Sequence, residues 1–406
     1  MKNRVAYRDR LLHLLGGSPV VALLGPRQCG KTTLARSIVL SWKGTRTFFD
    51  LERPSDLERL SLAPEDDLGR LQRRPGIICL DEIQRAPHLF PLLRALVDDP
   101  KRRARYLLLG STSTSVVKGV SESLAGRVSF LDLTPFLATE VEAARGARRE
   151  RLWERGGFPP SFTARSVERS FSWRENYVRT LLERDLPALG VGLPSVTLHR
   201  LLMMLAHLHG GILNASEVAS SLSISAPTVS RYLDLLEGAF LARRLPPFWA
   251  NVGKRLTKAP KIYLRDTGLL HVLLGLRDGD ALRAHPKVGA SWEGWVVEQL
   301  TTGLYLAGEP MEAHYWRTHG GAEADLVLVR GSVRIPLEIK LGTGGRPTRG
   351  LYECKKDLAA PHAFVVHGGE DSYPVGDGVW ALSAALLADP STLARVLVNP
   401  GAALRT

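Results

Sequence analysis

The stretch Gly25-Pro26-Arg27-Gln28-Cys29-Gly30-Lys31-Thr32 constrains this chain more than any other, and a second threonine, Thr33, follows it. It fits the pattern G-x-x-x-x-G-K-[ST] of a phosphate-binding loop. Glycines let the backbone curl until its N–H groups point inward at a polyphosphate. In such a loop Lys31 sets a cation against the β- and γ-phosphates, and the Thr32 hydroxyl is placed to ligate Mg²⁺. The flanks agree with this reading. Val20 to Leu24 is a short apolar run of the kind a buried parallel strand shows. Thr33 to Leu40 reads as a helix whose N-terminal dipole faces the phosphates.

At 406 residues the chain is too long for one ordinary core and is expected to form two to four domains. Hydrophobic residues at 44% and charged residues at 23% are those of a globular protein in water. The formal net charge of +13 points toward a polyanionic partner, or toward an arginine-rich background. Cys29, Cys79 and Cys354 form no pair at metal-ligand or redox spacing, and two of them fall in the nucleotide region. With a mixed charged start and no apolar run long enough to span a membrane, the chain is read as cytoplasmic, with no membrane partner.

The first third continues the α/β pattern. Arg8 to Leu15 reads as a helix and Thr47 to Leu51 as a second strand. Gly76-Ile77-Ile78-Cys79-Leu80-Asp81-Glu82-Ile83-Gln84 is an apolar strand ending in two acids, the form of a Walker B strand. There Asp81 holds Mg²⁺ through water and Glu82 orients and deprotonates the attacking water. Leu89 to Val97 is helical, and Tyr106 to Leu109 is a buried strand ending at Gly110-Ser111. Ser111 is expected to contact the γ-phosphate or the water. Strands alternating with helices make a parallel sheet covered on both faces. Arg127, just before the strand Val128 to Leu133, is either a solvated arginine or a finger supplied to a neighbour's γ-phosphate.

Glu140 to Leu189 is helical and basic, interrupted by Gly156-Gly157-Phe158-Pro159-Pro160. That rigid turn is a plain loop, or it presses Pro159 against an adenine ring. Ser216 to Leu222 and Pro227 to Glu237 then read as two helices joined by Ser223-Ile224-Ser225, with Ser225 as N-cap. Val229, Leu233 and Leu236 share one face and leave Thr228, Ser230 and Arg231 outward. With Phe240 to Leu245 as a wing strand this is a helix-turn-helix that binds DNA, or one that contacts protein. Arg243, Arg244, Lys254, Arg255, Lys258 and Lys261 just beyond it favour DNA.

The last third carries a second constellation. Ala324 to Val329 and Ile335 to Leu341 are two strands joined by Gly331-Ser332. Glu338 and Lys340, two apart, leave the same face, and Asp325 stands beside them across the hairpin. Asp325 and Glu338 are expected to hold a divalent metal that activates water, with Lys340 stabilising charge on a phosphate. The helical stretch Ser291 to Leu300 can add a third acid, Glu293. The other reading is a set of surface charges on a solvated sheet.

Together the phosphate loop, Leu80-Asp81-Glu82-Ile83-Gln84, Gly110-Ser111 and Ala125-Gly126-Arg127 resemble a large prokaryotic family of AAA+-like P-loop ATPases. In that family a second domain, long catalogued as of unknown function, follows the ATPase. It is matched here by Leu245-Pro246-Pro247-Phe248, Asn251-Val252-Gly253-Lys254-Arg255-Leu256, Arg265-Asp266-Thr267-Gly268-Leu269 and Tyr315-Trp316-Arg317. The resemblance runs from about Arg8 to Leu358. It implies an ATPase core, a winged helix and a terminal domain similar to PD-(D/E)XK nucleases. On that pattern Glu293, Asp325, Glu338 and Lys340 match the nuclease acids and lysine, and Gly157-Phe158-Pro159 looks like the turn that related ATPases put against the adenine. Cys29, where a small apolar residue is usual, and Ile339, where valine is usual, depart from the pattern without touching its chemistry.

The expected fold is therefore α/β. It comprises an AAA+-like ATPase domain over 1–137, a helical lid over 138–194, a winged helix-turn-helix over 195–250 and a restriction-endonuclease-like domain over 251–406. The expected reaction is Mg²⁺-dependent ATP hydrolysis coupled to remodelling or translocation on duplex, branched or single-stranded DNA. By resemblance the chain acts as a ring-shaped homo-oligomer, with a hexamer among the allowed sizes. The alternatives are an ATP-gated nuclease and a nucleotide-switched regulatory protein that keeps a vestigial nuclease fold.

Overall fold

The computed structural model describes residues 4–110, 120, 122–141, 145–188, 192, 194–248 and 259–404. They fall into two compact units, one built mainly from 3–135 and the other from 136–237 and 241–406.

The first unit begins with α1 (Val5–Gly17), whose Tyr7, Leu11 and Leu15 repeat every four residues and are buried. β1 (Val20–Leu24) is buried at every position and ends in the phosphate loop, after which α2 (Lys31–Ser41) starts. β2 (Thr45–Asp50), α3 (Pro54–Leu62), α4 (Pro64–Gln72), β3 (Gly76–Asp81), α5 (Leu89–Asp98), β4 (Ala104–Gly110) and β5 (Val128–Asp132) complete the unit. The strands lie in the order β2-β3-β4-β1-β5, all parallel. This is the parallel sheet expected from the apolar runs, with β2 and β4 each starting before its apolar run does. A parallel sheet collects the C-terminal ends of its strands on one edge. Leu24 is level with Gly110, and Asp50 with Asp81, so the phosphate loop and the acids after β3 share that edge. The pair α3 and α4, rich in charge and opening on Pro54 and Pro64, was not expected from the sequence.

The second unit is helical at first: α6 (Gly146–Arg155), α7 (Val167–Thr180), α8 (Ser195–Leu208), α9 (Ala215–Leu222) and α10 (Ala226–Gly238). The last two are the two helices expected around Ser223, which takes a left-handed φ of 55° between them. Val229, Leu233 and Leu236 are buried as their spacing requires, and the Thr228 N–H donates to Ser225 Oγ at 3.3 Å. β6 (Ala242–Leu245) pairs antiparallel with β7 (Lys261–Leu264). After α11 (Thr267–Leu273) the long α12 (Val288–Leu306) leads into a six-stranded sheet. Its strands β8 (Glu312–Arg317), β9 (Glu323–Arg330), β10 (Val333–Lys340), β11 (Ala363–His367), β12 (Tyr373–Gly376) and β13 (Val379–Ser383) lie in the order β12-β13-β11-β10-β9-β8. α13 (Arg349–Asp357) packs on this sheet and α14 (Pro390–Val398) packs on α12.

The boundaries expected at 194 and 250 do not separate hydrophobic cores. One apolar cluster runs from Phe136 through Trp153, Leu245, Tyr263, Trp292 and Trp295 to Leu337 and Leu397. Its spine is α12, which is apolar around most of its circumference, the mark of a helix buried on several sides. Trp292 stacks on Trp295 at 4.9 Å and meets the edge of Trp153 at 5.2 Å.

A buried ion triad fastens the β6–β7 ladder to this helix. Glu298 of α12 accepts from Arg243 (2.8 Å) and Arg265 (2.6 Å), and Thr302 Oγ1 donates to it at 3.1 Å. Burial alone would raise the Glu298 pKa, but the two guanidiniums outweigh it and hold the carboxyl at about 2, below its ordinary 4.5. A folded pKa below the unfolded one adds stability that is complete above the unfolded value and is lost as pH falls through the folded one. The difference is worth about 3 kcal/mol at neutral pH. Glu298→Gln is expected to destabilise the protein at pH 7 and to flatten its loss of stability between pH 5 and pH 2, measured by urea unfolding. An unchanged pH dependence in the variant would contradict this role.

Candidate active site

Two left-handed residues shape the phosphate loop. Gln28 and Gly30 take φ values of 61° and 101°, which curl the chain into the start of α2. A Cβ on Gly25 would sit 2.2 Å from the Leu133 carbonyl oxygen, so only glycine lets the loop lie this close to the segment after β5. That contact is reinforced on both sides. Cys29 is fully buried with its Sγ 3.5 Å from the same carbonyl oxygen, and the Arg4 guanidinium donates to the carbonyls of Cys29 (2.8 Å) and Thr134 (2.7 Å). Arg4 also lies over the Tyr7 ring, and the Tyr7 hydroxyl meets Thr134 Oγ1 at 2.7 Å. The sequence alone did not single out Arg4, because an arginine in the turn before a helix carries no motif.

The functional groups converge on the loop's open side. Lys31 is buried and its Nζ donates to the carbonyls of Gly25 (2.9 Å) and Pro26 (3.0 Å). The Thr32 hydroxyl donates to Asp81 Oδ2 at 2.8 Å, and the Glu82 N–H donates to Asp81 Oδ1 at 3.0 Å. Burial pushes the Asp81 carboxyl up, the Thr32 hydroxyl opposes that, and Glu82 and Asp50 push it further. Asp50, level with Asp81 on β2, is a second acid at this edge, and no motif in the sequence had marked it. Glu82 itself takes a left-handed conformation (φ 56°, ψ 46°), a backbone state that costs energy for a non-glycine residue and clusters at functional sites. Its carboxylate contacts the Gln84 side-chain amide. The donor set fits Mg²⁺: a hydroxyl and a carboxylate, both oxygen ligands, stand together beside a phosphate cradle.

Three other expected site residues are Ser111, Arg127 and Pro159. Ser111 lies outside the described residues. Arg127 precedes β5, and Val128 is level with Val20, so Arg127 stands at the sheet edge opposite its own phosphate loop. The length of β1 puts about 15 Å between them. Its guanidinium grips Asp98 through Nε (2.5 Å) and Nη2 (2.8 Å). Pro159 opens a short helix, Pro159–Phe162, in the second unit. The turn before it is anchored by Asp266, whose Oδ2 accepts from the Gly157 N–H (2.7 Å) and whose Oδ1 accepts from the Leu269 N–H (2.9 Å). Arg265-Asp266-Thr267-Gly268-Leu269 therefore plays a structural part, in which Asp266 caps α11 and fixes the Gly157-Phe158-Pro159 turn.

Three of the six cations expected to face DNA are paired with carboxylates of the chain itself. Arg243 pairs with Glu298, and Arg244 pairs with Asp234 and Glu237. Lys261 is buried, while Lys254, Arg255 and Lys258 lie outside the described residues. Ser230 and Arg231 on α10 are exposed, as expected.

The C-terminal acids do come together. Glu293, Glu323, Asp325, Glu338, Lys340 and Thr348 line a cavity of about 840 Å³. Each carboxylate already has partners. Glu338 receives Lys340 Nζ (2.6 Å) on one oxygen and the Thr348 N–H (2.8 Å) on the other. Asp325 Oδ2 accepts from the Ile339 N–H at 2.8 Å. Lys261 Nζ lies 3.0 Å from Glu293, 2.5 Å from Glu323 and 3.8 Å from Asp325. Burial alone would lower the Lys261 pKa, but Glu293, Asp325 and Glu323 hold it above its ordinary value. Burial and Glu293 push the Asp325 carboxyl up. Among the described residues no group of three or more His, Cys, Asp or Glu side chains has the arrangement of a metal site. The expected Asp325–Glu338 metal pair is thus already engaged by backbone N–H groups and lysines, and a residue expected on a basic surface lies within its acid cluster.

Comparison with known proteins divides the chain in three. A family model described as an AAA domain matches residues 17–142. Two described as domains of unknown function, DUF8612 and DUF4143, match 147–280 and 288–387. The uncharacterized proteins Rv2008c of Mycobacterium tuberculosis (strain ATCC 25618 / H37Rv) and Mb2031c of Mycobacterium bovis (strain ATCC BAA-935 / AF2122/97) are each 46% identical over 375 residues, covering 92% of this chain and 82% of theirs. A solved structure, the Walker-type ATPase PABY2304 of Pyrococcus abyssi, is 15% identical, covers 68% of this chain and 96% of its own, and has a TM-score of 0.45. Among the described residues no helix is long and apolar enough to cross a membrane.

The bedding of the loop gives a direct test. Arg4→Ala removes charge-assisted bonds to two buried carbonyls, each bond worth about 1.5–3 kcal/mol. The variant is expected to lower the unfolding midpoint of the ATPase unit in urea. A midpoint equal to wild type would mean that Arg4 does not brace the loop.

Proposed function

We propose that this chain, which belongs to the same family as the mycobacterial proteins Rv2008c and Mb2031c and carries an AAA-type ATPase domain, hydrolyses ATP to remodel or move along DNA. The observation that carries the reading is the juxtaposition of Lys31, Thr32, Asp81 and Glu82 on one edge of a parallel sheet, with the Thr32 hydroxyl 2.8 Å from Asp81. In this reading the backbone of Gly25 to Gly30 with Lys31 and Thr33 holds the polyphosphate. Thr32 and Asp81 would hold Mg²⁺, which supplies charge neutralisation at the phosphates. To meet a γ-phosphate, Lys31 exchanges two loop carbonyls for phosphate oxygens. Glu82, already turned at the strand end, accepts the proton of the attacking water. Ser111 is assigned to the γ-phosphate or the water from its place in the sequence just after the apolar run Tyr106 to Leu109, and Pro159 to the adenine on the family resemblance.

Arg127 enters as a finger only between copies of the chain, because it stands at the far edge of its own sheet. A homo-oligomer, such as a ring, is therefore part of the proposal. The DNA contact is assigned to α10, where Thr228, Ser230 and Arg231 face away from the core, and the net charge of +13 supports a polyanionic partner. The nuclease alternative is less favoured, because the C-terminal carboxylates are already paired with cations of the chain itself. The C-terminal sheet is read as a support or grip that does not cut.

Glu82→Gln is expected to bind ATP as wild type does and to hydrolyse it about a hundredfold more slowly, since it loses the general base alone. Lys31→Ala is expected to lose most ATP binding. Wild-type turnover by Glu82→Gln would remove Glu82 from the mechanism. In a separate measurement, DNA affinity is expected to fall steeply between about 50 mM and 200 mM salt, and further with Arg231→Ala. Binding that ignores both salt and Arg231 would place the DNA elsewhere or nowhere.

A further inference from the structure

Three acids that line the C-terminal cavity are held from behind by a lysine that no motif assigns to them. Lys261 comes from β7, the second strand of the two-stranded ladder, and is 2% exposed. Its ammonium reaches carboxylates of two other elements, Glu293 on α12 and both Glu323 and Asp325 on β9, at 3.0, 2.5 and 3.8 Å. The Tyr263 hydroxyl, two residues along the same strand, donates to the same Glu293 oxygen, and the Tyr315 ring lies 5.6 Å from the ammonium. Arg317 takes the other Glu323 oxygen at 3.3 Å. A buried ammonium survives only where carboxylates and hydrogen bonds replace its water, and these residues supply both.

A divalent ion at this cavity needs oxygen ligands from the same carboxylates. It would have to sit within a few ångströms of the Lys261 ammonium, where like charges repel strongly because little water screens them. The two other acids that line it, Glu338 and Glu353, are engaged as well, Glu353 by Arg349 at 2.8 Å. Glu338 gives one oxygen to Lys340 at 2.6 Å and the other to the Thr348 N–H at 2.8 Å. We propose that Lys261 is the resident cation of this cluster, occupying with its single charge the place among Glu293, Glu323 and Asp325 that a metal ion would take and so barring a divalent ion from the cavity. The proposal concerns the second unit only and stands or falls independently of the ATPase reading.

The test is a Mn²⁺ titration of the full chain without nucleotide, following free Mn²⁺ by electron paramagnetic resonance. Wild type and Asp325→Asn are expected to give the same isotherm, since any Mn²⁺ held near Thr32 and Asp81 is common to both. Lys261→Met is expected to gain one site at least about tenfold tighter than any in wild type, because the repelling charge is gone and the carboxylates remain. The double variant Lys261→Met/Asp325→Asn is expected to lose it again. A wild-type site that disappears in Asp325→Asn overturns the proposal, and so does a folded Lys261→Met protein that gains none. If circular dichroism shows that Lys261→Met is unfolded, the comparison of wild type with Asp325→Asn decides alone.

Discussion

The contact between the phosphate loop and the segment after β5 governs the first unit. Gly25 lies so close to the Leu133 carbonyl that no side chain fits, and Arg4 ties the Cys29 and Thr134 carbonyls together from the turn that leads into α1. The loop is therefore fixed from behind by backbone and a buried guanidinium, and only its front is free to meet a ligand. Preorganisation of this kind matters for phosphate chemistry, where catalysis is mostly positioning and electrostatics. The supporting segment ends at Pro135, the last residue of the unit's main stretch.

The second unit is organised by a different constraint: it buries charges and must pair each of them. Glu298 is held by Arg243 and Arg265, Lys261 by Glu293 and Glu323, and Asp266 by the Gly157 and Leu269 N–H groups. The two ion clusters connect the two-stranded ladder, α12 and the six-stranded sheet, elements that also share one apolar core. Removing one partner of such a pair leaves an uncompensated charge, so each is hard to break even where its net contribution is small. The same requirement draws on a basic-looking stretch. Three of its six cations, Arg243, Arg244 and Lys261, are paired with carboxylates of the chain itself.

The first unit was largely legible in the sequence because its signals are local. A phosphate loop, an apolar strand ending in Asp81-Glu82 and a buried strand at Tyr106 each announce themselves within ten residues, and parallel order then follows from alternation. The β9–β10 hairpin and the two helices around Ser223 were legible for the same reason. What escaped depends on contacts far apart in the chain. Arg4 meets residues 25 and 130 positions away, and Lys261 meets Glu293 and Glu323 across 32 and 62 positions. Arg127 was visible as an arginine, but its place opposite its own loop is a matter of strand register. The expected limits at 194 and 250 were read from changes in composition, which mark elements, and the apolar cluster that spans them rests on contacts between residues far apart in the chain.

Coupling between the ATP-hydrolysing site of the first unit and DNA is the central claim. Its most direct test is ATP turnover by the wild-type chain with Mg²⁺, measured as duplex or branched DNA is titrated in at low and at physiological salt. Turnover is predicted to rise on adding DNA, with the rise weakening as salt increases. Turnover that is identical with and without DNA at every salt concentration would contradict the claim.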